Sequence, residues 1–384
     1  MPGTSPVEDD DLRTLVAISL LSGGMNTLPA RYAKDTLAET PPSRWLETIA
    51  GLMWKRGGHR VDAMREARDA AGPALRRAEA VGAVPLSSLG SEYPVYLREI
   101  VDPPVVLWVR GAAAVLERPA VAIVGSRDAM TSSLLVARQL ARGLVDAGLT
   151  VVSGLARGVD TAAHEGALEA GGMTVAVLGS GLGHIYPKVN RGLAELIAQT
   201  GAVISELPPD APPRGRHFPL RNRIISGLSR GTVVVEASDR SGSLSTARQA
   251  LDQGRCVMAV PGGTLAGRHR GCHGLLKEGA RLVESVDDVL DELNWPHRAA
   301  ADAADSLNHL QLSDLEANMA KGEAYSVDQL AGVTGRSVPE LLTDLSLLEL
   351  SGRVLRTTGG QFVRIAGPER VPGTWASRSG AGEK

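Results

Sequence analysis

VAIVGSR at residues 121–127, TVVSGLARG at 150–158 and TVAVLGSG at 174–181 share one pattern: a short, mostly β-branched run that ends abruptly in glycine and polar or basic side chains. AVIS at 202–205, TVVVEA at 232–237 and CVMAV at 256–260 repeat the apolar half. Runs this continuous leave no polar face, so each predicts a strand buried on both sides. Helix-length amphipathic stretches separate them, and such alternation builds a parallel sheet with helices on both faces. The region from Val121 to Leu290 therefore reads as a doubly wound, Rossmann-like α/β domain with a mostly parallel sheet.

In open α/β sheets, ligands bind beyond the carboxyl ends of the strands. The residues immediately after each run are consistent in chemistry. Gly125-Ser126-Arg127 comes after the first and Gly154-Leu155-Ala156-Arg157-Gly158 after the second. Gly179-Ser180-Gly181, then Tyr186-Pro187-Lys188 and Asn190, come after the third. The fourth leads to Glu206 and Arg221-Asn222-Arg223, the fifth to Glu236 and Ser241-Gly242-Ser243, and the sixth to Pro261-Gly262-Gly263. Glycines let main-chain N–H groups approach a ligand, helix N-termini add positive dipole ends, and arginine pairs with phosphate oxygens in two places at once. Residues 207–230 carry five Arg against one Asp, a local excess of four positive charges in a chain of net charge −2. Leu220, Ile224 and Leu228 give a helix there its buried face, with Pro219 near its start. Arg221 and Arg223 are expected in its first turn, where a cation opposes the helix dipole and a bound anion relieves the conflict.

These features describe a groove for a phosphate polymer. The expected nucleic-acid contacts are Ser126, Arg127, Gly154, Arg157, Gly181, Lys188, Asn190, Arg221, Asn222, Arg223, Ser241 and Ser243. No catalytic residue, metal or cofactor is assigned. Glu206 and Glu236 could form a general acid/base pair, but we read them as ion-pair partners of groove arginines. His164 is a groove donor or a core residue. His269, Cys272 and His273 lack an evident fourth metal ligand. The chain contains no GxxxxGK[ST], no GxSxG and no acidic residue closing the second strand, which argues against a P-loop ATPase, an α/β-hydrolase and a nicotinamide dehydrogenase.

Composition bounds the rest. At 384 residues and 43% hydrophobic content, two to three domains with substantial cores are expected. Aromatics are 3%, too few for rows of stacking platforms. Two cysteines without framework spacing fit a reducing compartment, and no targeting or membrane-spanning stretch is evident, so the expected location is the cytoplasm. Residues 1–82 read as a helical N-terminal domain: Leu12, Leu15, Val16 and Leu20 make one apolar face and Trp45, Ile49 and Met53 another, with Pro41-Pro42 between. Residues 83–120 read as a Pro-rich connector with short extended pieces such as Val105–Val109, leading into the sheet to give a domain over 83–296. After an acidic stretch and a linker around Pro296–Ala304, residues 297–366 hold three expected helices (Leu312–Met319, Ser326–Leu330, Val338–Leu350) and a hairpin closed by Gly359-Gly360. That order is the winged-helix pattern. Its third helix carries Glu340, Asp344 and Glu349 and no Lys or Arg, so it is expected to meet protein; Arg353, Arg356 and Arg364 leave the hairpin as a weaker nucleic-acid contact. Residues 367–384 read as a disordered tail.

Taken in order, these stretches resemble the DNA-processing protein A family (DprA, also called Smf). The likeness runs from YPVYLREIVDPPVVLWVRG at 93–111 through GSR at 125–127, SGLARGVDTAAHEGAL at 153–168, GSGLGHIYPKVN at 179–190, SELPP at 205–209 and FPLRNRIISGLS at 218–229 to VVVEASDRSGSLSTARQALDQGRCVMAVPG at 233–262 and LLKEGA at 275–280. The resemblance implies an extended Rossmann-like fold, commonly dimeric, that binds single-stranded DNA and hands it to the RecA recombinase in natural transformation and recombination. It implies phosphate contacts from Arg127, Lys188, Arg221 and Arg223, in a pocket shaped by Ser126, Gly154, Gly181, Asn190 and Asn222. Two departures stand out. The family's Ser-x-Gly-x-Asn after the Pro-Gly turn is here His269-Arg270-Gly271-Cys272-His273, and residues 1–82 lack the Gly-x-Gly hairpin of helix–hairpin–helix DNA binders. The competing reading is a nucleotide-cleaving phosphoribohydrolase-like enzyme on a related fold. Its PGGxGT signature is broken here, where Pro261-Gly262-Gly263 continues as Thr264-Leu265-Ala266-Gly267.

Overall fold

The computed structural model describes residues 6–21, 32–33, 36–37, 39–54, 57–296, 315, 318–320, 322–350, 354–357 and 360–364. The chain divides into two compact units, Met1–Arg298 and Ala299–Lys384.

The first unit is organised by a nine-stranded sheet. Its strands are β1 (Ala83–Ser87), β2 (Val106–Gly111), β3 (Ala120–Val124), β4 (Thr150–Ser153), β5 (Thr174–Val177), β6 (Ala202–Ser205), β7 (Gly231–Val234), β8 (Cys256–Ala259) and β9 (Arg281–Leu282), in the order β1-β2-β6-β5-β4-β3-β7-β8-β9. From β6 to β9 all pairings are parallel. The six expected strands are β3 to β8. The run TVVVEA ends sooner than its apolar residues suggest: the ladder stops at Val234, and the Glu236 carboxylate turns to accept the N–H of Met130 at 2.9 Å. The connector forms more structure than expected. β2 pairs antiparallel with β6, and β1 pairs antiparallel with β2. Val106, Leu107, Trp108 and Val109 are fully buried, and a run that apolar is stable only as an added strand with both faces covered.

The helices of this unit include α1 (Pro6–Leu20), α2 (Trp45–Met53), α3 (Gly57–Ala80), α4 (Val95–Glu99), α5 (Thr131–Asp146), α6 (Val159–Glu169), α7 (Arg191–Thr200), α8 (His217–Gly227), α9 (Ser243–Asp252), α10 (Arg270–Lys277) and α11 (Val286–Glu292). Strand alternation sends Ala122, Val124, Val152 and Ile204 to one face, against Ile224 and Ile225 of α8 and Ala247 of α9. Val121, Ile123, Val151 and Val233 go to the other, against Ala137, Leu140 and Leu144 of α5 and Ala163 of α6. Each buried Val, Ile or Leu contributes about 1.5–3 kcal/mol of hydrophobic stabilisation. Leu15, Val16 and Ile18 of α1 and Trp45 and Ile49 of α2 share a third core with Trp108, Leu178 and Val203, so the N-terminal helices pack on the sheet's own residues. Among the described residues no helix is long and apolar enough to cross a membrane.

The second unit is a winged helix. α12 (Val327–Thr334) and α13 (Val338–Leu350) pack with a three-stranded antiparallel sheet, ordered β10 (Ala324–Tyr325), β12 (Phe362–Arg364), β11 (Val354–Arg356). Its core joins Leu315, Met319, Leu330, Leu341, Leu345, Leu348, Val354 and Phe362. A capping box between Ser326 and Gln329 starts α12, and Gly335 ends it at φ 68°. The expected two-residue hairpin link is one residue longer: Thr357 N–H donates to Gln361 at 2.7 Å, and Gly360 takes φ +74°. Most of the expected helix at Leu312–Met319, the linker from residue 297, Arg353 and the tail 367–384 lie outside the described residues.

Candidate nucleic-acid interface

In the strand order, β3 lies between β4 and β7, which is where the chain's direction of travel across the sheet reverses. The crevice of a doubly wound sheet opens at such a point. A cavity of about 760 Å³ lies there. Ser126 and Arg127 line it from the loop after β3, Asp160 from α6, Phe218, Arg221 and Asn222 from α8, and Ser241 and Ser243 from the start of α9. A smaller annex of about 50 Å³ adds Gly154, Arg157 and Pro187.

The floor holds two buried charged side chains, Asp160 and Arg221. Asp160 accepts N–H groups from Gly154 at 3.1 Å and Ala156 at 3.3 Å, which fixes the loop after β4. Arg221 Nη1 donates to the carbonyls of Gly154, at 2.9 Å, and Val177. A Cβ on residue 154 would stand 2.6 Å from the Arg221 guanidinium, so only glycine lets it in. Burial pushes the Asp160 carboxyl above its ordinary range, against the pull of Arg221 and the two N–H donors. Burial also lowers the Arg221 guanidinium to about 10, with Asp160 opposing the change. His164, one layer deeper on α6, is fully buried with Nδ1 2.7 Å from Thr174 Oγ1; desolvation, then Arg221, pushes it down to about 3. Of its two expected roles, the structure places it in the core.

Asn190 reaches the same loop from the other side. Its amide donates to the Leu155 carbonyl at 2.9 Å and to Thr161 Oγ1 at 2.8 Å. Gly181 is a close-approach position, because a Cβ there would meet the Pro208 carbonyl at 2.1 Å. Asn222 donates to the Gly242 carbonyl at 3.4 Å, and the Ser241 and Ser243 hydroxyls lie 2.7 Å apart.

The rim is different. Arg127, Arg157 and Lys188 are exposed. The Arg127 guanidinium lies over the Phe218 ring, 5.5 Å from its centre, and Tyr186 leans on the same ring at 5.7 Å while staying 45% exposed. Sequence reasoning dismissed aromatic platforms on composition and missed these two. The available signal was position: Tyr186 and Phe218 each precede a proline on a groove segment. Asp160 was missed too, being an acid beneath a site sought through its cations.

Arg223 is a correction. It was expected to point at the groove with Arg221, but α8 begins at His217, so both lie beyond its first turn. Residues two apart on a helix face roughly opposite ways. Arg223 is 3% exposed and pairs with Glu206 at 2.7 Å and Asp102 at 3.1 Å, off the cavity lining. Glu206 is thus the partner of an arginine outside the groove. Glu236 lies near Arg268, at 3.5 Å. His273 Nε2 lies 3.0 Å from the Gly262 carbonyl, and the buried Cys272 thiol faces the Val234 carbonyl at 3.6 Å.

Fold and crevice together define an extended Rossmann-like protein whose site at the sheet's switch point is lined by arginine, aspartate and hydroxyl groups. The family profile described as DNA recombination-mediator protein A matches residues 86–294, and that of the DprA winged helix domain matches 296–360. The DNA processing protein DprA of Streptococcus pneumoniae is 47% identical over 209 residues, 54% of this chain and 74% of that protein. Protein Smf of Escherichia coli is 42% identical over 282 residues, 71% of this chain and 75% of the relative. Among solved structures, S. pneumoniae DprA superposes with TM-score 0.63 at 36% identity, covering 77% of this chain and 99% of that one. Helicobacter pylori DprA, whose structure is described as revealing a unique single-stranded DNA binding mode, gives 0.50 at 31% identity, over 55% and 95%. The chain belongs to the DprA/Smf family of DNA-processing proteins.

Proposed function

We propose that this chain binds single-stranded DNA in the crevice and delivers it to the RecA recombinase during natural transformation and recombination, acting in the cytoplasm as a homodimer. The observation that carries the DNA half is the rim. An exposed guanidinium stacked on an aromatic ring, with a second half-exposed aromatic beside it, offers a base a π surface and its phosphate a bidentate partner. The single-stranded DNA described for the H. pylori relative supports the same reading. Delivery to RecA and the dimer rest on family membership.

Within the reading, Ser126, Arg127, Arg157, Lys188, Asn222, Ser241 and Ser243 meet the strand, while Gly154, Gly181, Asn190 and Arg221 hold the shape it enters. Recognition runs through backbone and stacking, so binding falls steeply with salt and depends little on sequence. The test is anisotropy of labelled oligo-dT against duplex DNA at two salt concentrations, with Arg127→Ala and Lys188→Ala; wild-type affinity in both variants would remove the crevice from the reading. RecA filament assembly on the same oligonucleotide, with and without the protein, tests delivery.

A phosphoribohydrolase-like enzyme would use Glu206 as a free carboxylate in the cavity. The Glu206–Arg223 pair outside the lining favours a binder. Release of free base from nucleoside monophosphates, abolished by Glu206→Gln, would reverse that preference.

A further inference from the structure

The crevice continues past Tyr186. Tyr186 and Pro213 are shared with a second cavity of about 260 Å³, whose lining adds His184, Lys188 and Arg191. That lining holds two cations, Lys188 and Arg191, and no carboxylate. Arg191 opens α7 and is exposed. A cation in the first turn of a helix opposes the positive end of the dipole, a conflict that an anion relieves. The acid of that helix, Glu195, is held instead by Arg110 of β2. Among the described residues neither Lys188 nor Arg191 is in an ion pair. A concavity walled by charges of one sign focuses its field on a counter-ion.

We propose that this second cavity is a phosphate subsite for the same strand: DNA leaving the Arg127–Phe218 platform steps over Tyr186, and its next backbone phosphates are held by Lys188 and Arg191. The inference rests on the DNA reading above and gives the strand a path, a direction of exit and one further contact residue.

Length dependence separates the two claims. Full-length protein is titrated with oligo-dT of about 4 and about 16 nucleotides, spanning the range of single-strand site sizes. Arg191→Ala is expected to weaken the longer oligonucleotide about three- to tenfold, leave the shorter unchanged and reduce the salt slope by about 0.7. Arg191→Lys is expected to restore most of the loss, since the phosphate needs a charge there. Thermal unfolding at the wild-type midpoint shows that the fold is intact. Wild-type binding of the longer strand by Arg191→Ala, or an equal loss on both lengths, overturns the subsite. Failure of the wild-type protein to bind either length overturns the DNA reading itself.

Discussion

Arg221 and Arg127 line one cavity and share one charge, yet they stand at different levels of it. Arg221 is 7% exposed, donates to two main-chain carbonyls and lies within the electrostatic reach of Asp160. Arg127 is exposed and rests on the ring of Phe218. The floor is held by the main chain: Asp160 accepts from Gly154 and Ala156, Arg221 donates to the Gly154 and Val177 carbonyls and Asn190 to the Leu155 carbonyl, so removing one of these side chains leaves buried main-chain groups without a partner. The rim is open, and its cations have water as the alternative to a ligand. A basic residue near a groove is therefore not one kind of evidence. Buried, it reports how a loop is held; exposed, it reports what the loop can hold.

Four measurements press on that contrast. The largest effect is expected from Arg223→Ala, which strands Glu206 and Asp102 without their shared cation. Breaking a buried ion pair from one side costs about 3–5 kcal/mol, seen as a lower urea midpoint. A protein of unchanged stability that no longer binds DNA would put Arg223 back in the groove.

Next comes pH. His164 titrates near 3 when folded and near its ordinary 6.5 when unfolded, so between those values the unfolded chain takes up a proton that the folded one refuses. Stability contributed by the neutral ring is present above 6.5 and falls as pH drops. From pH 7 to pH 5 that amounts to about 2 kcal/mol. His164→Gln should flatten this part of the curve in chemical denaturation at the two pH values; an unchanged slope would show that the ring does not control it.

Arg127→Ala addresses the rim. DNA affinity should drop about tenfold, or about 1.4 kcal/mol, while the unfolding midpoint stays put, because an exposed residue carries little folding energy. Loss of stability instead would make Arg127 a floor residue. The smallest change is expected for Lys188→Ala: under 1 kcal/mol in affinity at moderate salt, and a salt slope lower by about 0.7. A slope identical to wild type would mean that Lys188 touches no phosphate.

The sheet's central strands were legible in the sequence, because six β-branched runs with no polar face have nowhere stable to go except between two helical layers. So was the place where the cavity opens, since glycine, hydroxyl and basic residues recur after the strand ends. The winged helix was legible for the same local reason: helix caps, apolar spacing and a glycine turn are written in neighbouring residues. It took the folded chain to pair Val106–Gly111 with the sheet, to turn Arg221 inward and Arg223 away, and to bring Tyr186 of the loop after β5 against Phe218 of α8. Those outcomes depend on which distant residue offers a partner: Ala202 to Ser205 for β2, the Gly154 and Val177 carbonyls for Arg221, Glu206 for Arg223. Period and composition record what a segment prefers, but a side chain's direction is settled by contacts across tens to more than a hundred residues of intervening chain, which no local pattern encodes.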